Sequence, residues 1–129
     1  MSRDKHEFHF QAAEIAKAAE KEANYHEQRV AYWQEIYKRN ADIVRATAKI
    51  EFRETQHTGG SSMQVVVNYG DAGAYGSMST AWTKWHDHEA AAKRYRSEQK
   101  VYETQDNRTY ELSNDDVHYF NLSGARSDS

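Results

Sequence analysis

Residues 4–54 contain neither glycine nor proline and repeat apolar side chains at helical spacing. Most of the other residues in this stretch are strong helix formers. The pattern predicts one long, coiled-coil-like helix packed in a bundle, with Asn24 as the place of any break. The largely apolar stripe combines three columns: Ala12, Ala19, His26, Trp33, Asn40 and Thr47; Phe8, Ile15, Glu22, Arg29, Ile36, Ile43 and Ile50; and Ala16, Ala23, Val30, Tyr37 and Val44. The charged pair Glu22 and Arg29 is a defect in the middle of this stripe.

The pattern changes after this helix. Residues 57–62 (HTGGSS) predict a linker, and residues 63–69 (MQVVVNY) alternate as a strand does. Three glycines then predict a loop over residues 70–78. Ser79 is a suitable N-cap for a second helix over residues 79–104, which packs on the first.

Residues 105–122 predict a short strand and turn region. The segment TYEL, from Thr109 to Leu112, is expected to pair with residues 63–69. Ser113 and Asp116 have the spacing of a capping box. Residues 123–129 form a loose tail. The predicted fold is therefore a single α+β domain, mostly helical, with a short antiparallel β element.

Composition makes self-association attractive. Leucine occurs twice, whereas the chain has nine tyrosines, three tryptophans and four phenylalanines. A core of alanine and aromatic side chains is thin, and small cores often depend on oligomerisation. An unbroken helix over residues 4–54 would also be longer than a compact domain of this size. We therefore expect a homo-oligomer through the N-terminal helix.

Several classes of protein are disfavoured. The chain has no cysteine, which excludes disulfides and thiol nucleophiles. Its N-terminus is polar where a signal peptide would be apolar, and no stretch is apolar enough to cross a membrane. We expect a cytoplasmic protein at synthesis, with the virion as an alternative location, and no membrane partner.

The glycine-rich segment raises the question of a phosphate-binding loop. Such a loop needs a lysine directly after its last glycine, but Gly76 is followed by Ser77 and Met78. A helix N-terminus can still bind an anion through free backbone N–H groups. Small-ligand or nucleotide binding therefore remains an alternative function, with these candidate residues: Gly73, Gly76, Ser77, Ser79 and Thr80.

The histidine-rich segment WHDHE, from Trp85 to Glu89, predicts no metal site. On a helix His86 and His88 point about 200° apart, so a metal ion shared between them would be strained; His88 belongs to the apolar stripe of the second helix. No serine lies in a nucleophile motif, and Asp115 and Asp116 are favoured as first-turn acids. We expect no catalytic residues, no cofactor and no enzymatic activity.

Nucleic-acid binding is a second alternative. Basic residues cluster on the second helix beside tyrosines, but acidic residues are interspersed, and the net charge is -3. Mixed signs are typical of a solvated helix face. The candidate residues are Lys93, Arg94, Arg96 and Lys100.

The favoured hypothesis is a non-enzymatic interaction protein that binds itself and another protein. Tyrosines beside small residues make adaptable contact surfaces. The expected contact residues are therefore Tyr69, Tyr75 and Trp82. An oligomeric assembly component or a stoichiometric inhibitor, of the type that phages often encode, fits this composition.

Overall fold

The computed structural model describes residues 8–105 and 108–122, and it confirms the predicted α+β class with mostly helical content. Two long helices dominate, α2 packs on α1, and there are two small antiparallel sheets. The elements are β1 (Phe8–Gln11), α1 (Ala12–Thr47), β2 (Lys49–His57), β3 (Gly60–Asn68), α2 (Ala72–Glu103), β4 (Thr109–Leu112) and α3 (Asn114–Tyr119).

The sequence predicts a single domain. Contacts between residues of the structure divide the chain into two compact units. Of the described residues, the terminal unit contains 8–30, 87–105 and 108–122, which include β1, β4 and α3. The hairpin unit consists of residues 31–86 and contains β2 and β3. Each long helix contributes residues to both units.

Helix α1 is continuous through Asn24, but it is shorter than the predicted span of residues 4–54. Residues 4–7 lie outside the described part of the chain. Phe8–Gln11 forms a strand, and Lys49–His57 forms another. Ile50 matches both the heptad column and the alternation of a strand. Pairing with β3 decided in favour of the strand.

The small sheet of the terminal unit corrects the predicted pairing of TYEL. Strand β4 pairs antiparallel with β1, in the register Phe8 with Leu112 and Gln11 with Thr109. The backbone N–H of Ala12 also donates to the carbonyl of Arg108 at 3.1 Å. Strand β1 was not predicted, because its four residues lie within a helix-like pattern.

The partner of β3 is β2, and the predicted linker is part of this hairpin. The register runs from Lys49 opposite Asn68 to His57 opposite Gly60, so only Thr58 and Gly59 form the turn. Strand β3 therefore begins at Gly60, three residues earlier than predicted. Gly60 has a φ of 129°, a backbone conformation that glycine adopts without a steric penalty.

Helix α2 begins at Ala72, within the segment predicted as a loop. The Asp71 side chain accepts a hydrogen bond from the N–H of Ala74 at 2.8 Å, and its carbonyl accepts one from Tyr75. Asp71 is thus the N-cap, in place of the predicted Ser79. Gly70, with a φ of 85°, makes the turn from β3 into the helix.

The terminal unit has a core of small and aromatic side chains. Ile15, Ala19 and Ala23 of α1 are fully buried. They pack with Ala91 and Tyr95 of α2 and with Leu112 and Phe120. The hydroxyl of Tyr95 donates to the carbonyl of Tyr119 at 2.5 Å, and the rings of these tyrosines stack at 4.8 Å. Much of the alanine stripe of α1 is therefore buried within its own chain.

Helix α3 begins with the predicted capping box. The N–H of Asp116 donates to the Ser113 hydroxyl, and the N–H of Ser113 donates to the Asp116 carboxylate. Asp115 and Asp116 both lie in the first turn, where carboxylates are favoured by the helix dipole.

The core predicts a sharp contrast between two isoleucines of α1. Ile15→Ala should lower the free energy of unfolding by about 2–5 kcal/mol, because Ile15 is fully buried. Ile43→Ala is the matched control, since Ile43 is 44% exposed, and it should cost less than about 1 kcal/mol. Urea denaturation measures both values. Equal losses would contradict this core.

Two glycines flanking the start of α2 should respond in opposite directions. Gly70→Ala should lower the free energy of unfolding by about 1–3 kcal/mol, because Gly70 has positive φ. An added Cβ would also clash with the Thr47 side chain and lie 2.8 Å from the Thr47 carbonyl carbon. Gly76→Ala should raise it by about 0.5–1 kcal/mol, because Gly76 is helical and no atom lies within 4 Å of the added Cβ.

Thermal or urea denaturation of both variants checks this placement of the helix start. A loss of stability in Gly76→Ala comparable to that in Gly70→Ala would indicate a loop over residues 70–78 instead.

Candidate functional site

The hairpin formed by β2 and β3 exposes one apolar face. Because side chains alternate along a strand and directly paired residues share a face, the register places Ile50 opposite Val67 and Phe52 opposite Val65 on the same side. Met63 continues this face opposite Glu54. We call these five apolar side chains the apolar hairpin face: Ile50, Phe52, Met63, Val65 and Val67.

Each of these side chains is strongly exposed. The exposed fractions range from 49% for Val67 to 68% for Phe52. No residue of β2 or β3 is buried, and only Glu51 and Val66 are half-buried. Contiguous exposed apolar patches mark interaction sites, whereas single exposed apolar residues do not.

The opposite face of the hairpin is mainly polar. It carries Lys49, Glu51 and Arg53 on β2, with Gln64 and Val66 on β3. Glu51 and Arg53 form an exposed ion pair at 3.3 Å. The two faces thus differ in chemistry, as the faces of a sheet do when one side is covered and the other is solvated.

Of the predicted contact residues, the structure brings two together. Tyr69 and Tyr75 follow the hairpin, and their rings are in contact with centroids 5.3 Å apart and a tilt of 47°; they are 58% and 40% exposed. Trp82 lies further along α2, 49% exposed, with its ring 4.0 Å from that of His86. No ring contact joins Trp82 to the tyrosine pair among the described residues.

Four of the five candidate ligand residues border one groove. Gly73, Gly76, Ser77 and Thr80 of α2 line a cavity of about 470 Å³ together with Trp33 and Ile36 of α1. Ser79 is not among the lining residues. No charged side chain borders this groove in the described part of the chain. Its chemistry therefore suits a small, weakly polar ligand better than a phosphate.

The N-terminus of α2 is occupied by its own chain. The N–H of Ala74 donates to the Asp71 carboxylate, and the N–H of Asp71 donates to the Thr47 hydroxyl at 3.0 Å. The N–H of Gly70 donates to Asn68 Oδ1 at 2.8 Å. An anion placed here would meet a carboxylate, which removes the physical basis for phosphate binding at this helix start.

The basic cluster of α2 is partly neutralised. Arg96 makes a bidentate ion pair with Glu27, at 2.9 and 3.0 Å, and donates to Asn24 Oδ1 at 2.6 Å. Hydrogen bonding from Arg96 holds the pKa of the Glu27 carboxyl below its usual value. Beside them, a groove of about 560 Å³ is bordered by both Lys93 and Glu89. Mixed charges of this kind do not build a phosphate-binding track.

A pair of histidines links α1 and α2 inside the terminal unit. The Nδ1 atoms of His26 and His88 lie 2.8 Å apart, and the His26 ring stacks on Tyr95 at 5.6 Å. Only one of the two nitrogens can carry the shared proton at a time. His88 is 3% exposed and His26 is half-buried, and the pair contributes to the packing of α1 against α2 in this unit.

Two further kinds of feature, a metal-ligand cluster and a membrane-spanning helix, are absent from the described residues. Within residues 8–105 and 108–122, no three His, Asp or Glu side chains are grouped closely enough to hold a metal ion. Among the described helices, none has an apolar stretch long enough to cross a bilayer.

The apolar hairpin face was missed from the sequence because Ile50 and Phe52 were assigned to the first helix. The signal that could have found it is the alternation KIEFRE, in which charged and apolar residues exchange at every position. Paired with MQVVVN across the two-residue turn, it reads as a hairpin with one apolar side.

Comparison with protein-family models finds no match, and comparisons with curated proteins and with solved structures find no significant similarity. The function of the chain is therefore inferred from its own geometry.

The N-cap assignment predicts the effect of two substitutions at one position. Asp71→Ala should lower the free energy of unfolding by about 1 kcal/mol, because the N–H of Ala74 loses its acceptor. Asp71→Asn is the matched control and should stay within about 0.5 kcal/mol of the original chain, because asparagine caps as well as aspartate. Circular dichroism during urea denaturation gives both values, and an unchanged Asp71→Ala variant would contradict the cap.

Proposed function

We propose that this chain is a non-enzymatic interaction protein, an assembly component or a stoichiometric inhibitor, that docks through its apolar hairpin face. The observation that carries the proposal is the contiguous apolar surface on a hairpin with no buried residue. A two-stranded hairpin is only marginally stable in water, so covering this face would stabilise the hairpin as well as form an interface.

The exposed tyrosines extend the proposed docking surface. Tyr69 directly follows β3, and its ring contacts that of Tyr75. Tyrosine gives a large contact area with few rotatable bonds, which favours its use at interfaces. Trp82 remains a candidate contact residue, since half of its surface is exposed. A role in phage assembly, with a place in the virion, remains one form of this proposal.

The proposed docking surface differs from the N-terminal helix expected from the sequence. Ile15, Ala19 and Ala23 of that helix are buried against other elements of the same chain. The exposed large apolar residues include Ile43 of α1 and all five residues of the apolar hairpin face.

Small-ligand binding in the groove beside Gly73 and Ser77 is the second candidate function. The groove of about 470 Å³ favours it, because ligand pockets are concave and mostly apolar. A ligand site needs polar groups that orient the ligand. In this groove the hydroxyls of Ser77 and Thr80 would have to do so, and small-ligand binding therefore ranks second.

Site-specific photo-crosslinking tests the docking proposal. Benzoylphenylalanine is placed at Phe52, in the centre of the apolar hairpin face, and the chain is irradiated in its native host cells. We expect covalent adducts of protein mass, because the probe replaces one apolar aromatic ring by another and would lie inside the interface.

The same probe at Gln64 is the matched control, because Gln64 is also exposed on β3 but lies on the polar face. Adducts should be several times fewer there. No protein adduct at Phe52, or equal yields at the two positions, would contradict docking through the apolar face.

A further inference from the structure

We infer that the occupant of the apolar hairpin face is a second copy of this chain, bound with its hairpin antiparallel to the first. This inference rests on the proposed docking function and identifies its partner. The resulting dimer would contain two hairpins packed face to face, with both polar faces in solvent.

The alternation of β2 supports a covered face. Ile50 and Phe52 alternate with Lys49, Glu51 and Arg53, which lie on the other side. Strands with this alternation normally bury the apolar side against a second layer. The described residues of a single chain supply no such layer, because no residue of the hairpin is buried. A second hairpin of the same kind supplies one.

The exposed area is close to what a dimer needs. From their exposed fractions, the five residues leave on the order of 600 Å² per chain, so their complete burial in two copies would reach the ~1,200 Å² lower limit of stable interfaces. Tyr69 and Tyr75, whose rings are in contact, add further exposed surface next to the hairpin.

The charge on this face selects the antiparallel orientation. Glu54, opposite Met63, is its only charged residue and lies towards the turn. A parallel arrangement would place the two Glu54 carboxylates side by side at an apolar interface. The antiparallel arrangement separates them to opposite ends, at which each remains in solvent. A dimer of this kind has two-fold symmetry, so each copy contributes the same surface to the interface.

Packing face to face is favoured over pairing edge to edge. Joining the open strand edges of two copies would make a four-stranded sheet, but its apolar side would still face water. Face-to-face packing covers both apolar sides at once, with the sheets about 10 Å apart.

Sedimentation velocity over micromolar to near-millimolar concentration tests the inference with two matched double variants. Phe52→Thr with Val65→Thr changes one directly opposed pair on the apolar face, and threonine keeps a high strand propensity. Arg53→Thr with Gln64→Thr changes the adjacent opposed pair on the polar face. We expect a dimer whose dissociation constant rises by on the order of 100-fold or more in the first variant, and changes less than about threefold in the second.

The orientation has its own measurement. The chain has no cysteine, so Thr58→Cys in the hairpin turn accepts a single spin label. Electron–electron double resonance should give a distance on the order of 40 Å between the two turns of an antiparallel dimer, since Thr58 lies six residues beyond Phe52, the middle of the apolar hairpin face, at ~3.4 Å per residue. A parallel dimer would bring the turns to about 10 Å, the spacing of packed sheets, and would overturn the orientation.

Two outcomes separate this inference from the proposed function. A chain that stays monomeric at every concentration, while the Phe52 probe captures a different protein, overturns the second copy as occupant and leaves the docking function in place. A monomer without any adduct at Phe52 overturns both. A dimer that both double variants weaken equally would place the interface outside the apolar face.

Discussion

The packing of α2 on α1 through small side chains is the interaction on which the rest of the structure depends. In the terminal unit, Ala19 and Ala23 of α1 are fully buried beside Ala91 and Tyr95 of α2. Alanine permits a close approach of two helices, but each buried methyl group contributes little apolar area. The aromatic rings and the few large aliphatic side chains around the alanines supply most of the buried surface.

The two small sheets differ in how much they contribute to this small core. Strands β1 and β4 contribute to the core through Leu112, and Phe8 and Phe10 pack against it. Strands β2 and β3 contribute no buried residue, although they contain Ile50, Phe52 and three successive valines. We propose that these apolar side chains, which contribute nothing to the core, form the docking surface.

The helical part of the fold follows from the sequence, whereas the strands that flank the first helix do not. The heptad spacing predicted a continuous α1, and Ser113 with Asp116 predicted the capping box of α3. The hairpin was hidden because Ile50 satisfies helical and strand periodicity alike, and long-range pairing with Val67 settles such a case. The predicted loop over residues 70–78 was wrong for a different reason. The N-cap Asp71 outweighs the low helix propensity of Gly73 and Gly76, so the helix begins earlier.

The candidate site shows the same division. Tyr69, Tyr75 and Trp82 are exposed, as contact residues must be, but the ring contact between Tyr69 and Tyr75 could not be derived from spacing alone. The partners of Arg96 are also invisible to sequence, since Glu27 and Asn24 lie on the other long helix. Cross-element contacts of this kind decide whether a basic residue is available to a ligand.

Amide hydrogen exchange measured at several protein concentrations tests the central claim most directly. If a second copy covers the apolar hairpin face, protection of the amides in β2 and β3 should rise with concentration, while protection in β1 and β4 stays constant, since these strands contribute to the core of their own chain. Protection of β2 and β3 that is independent of concentration would contradict the account.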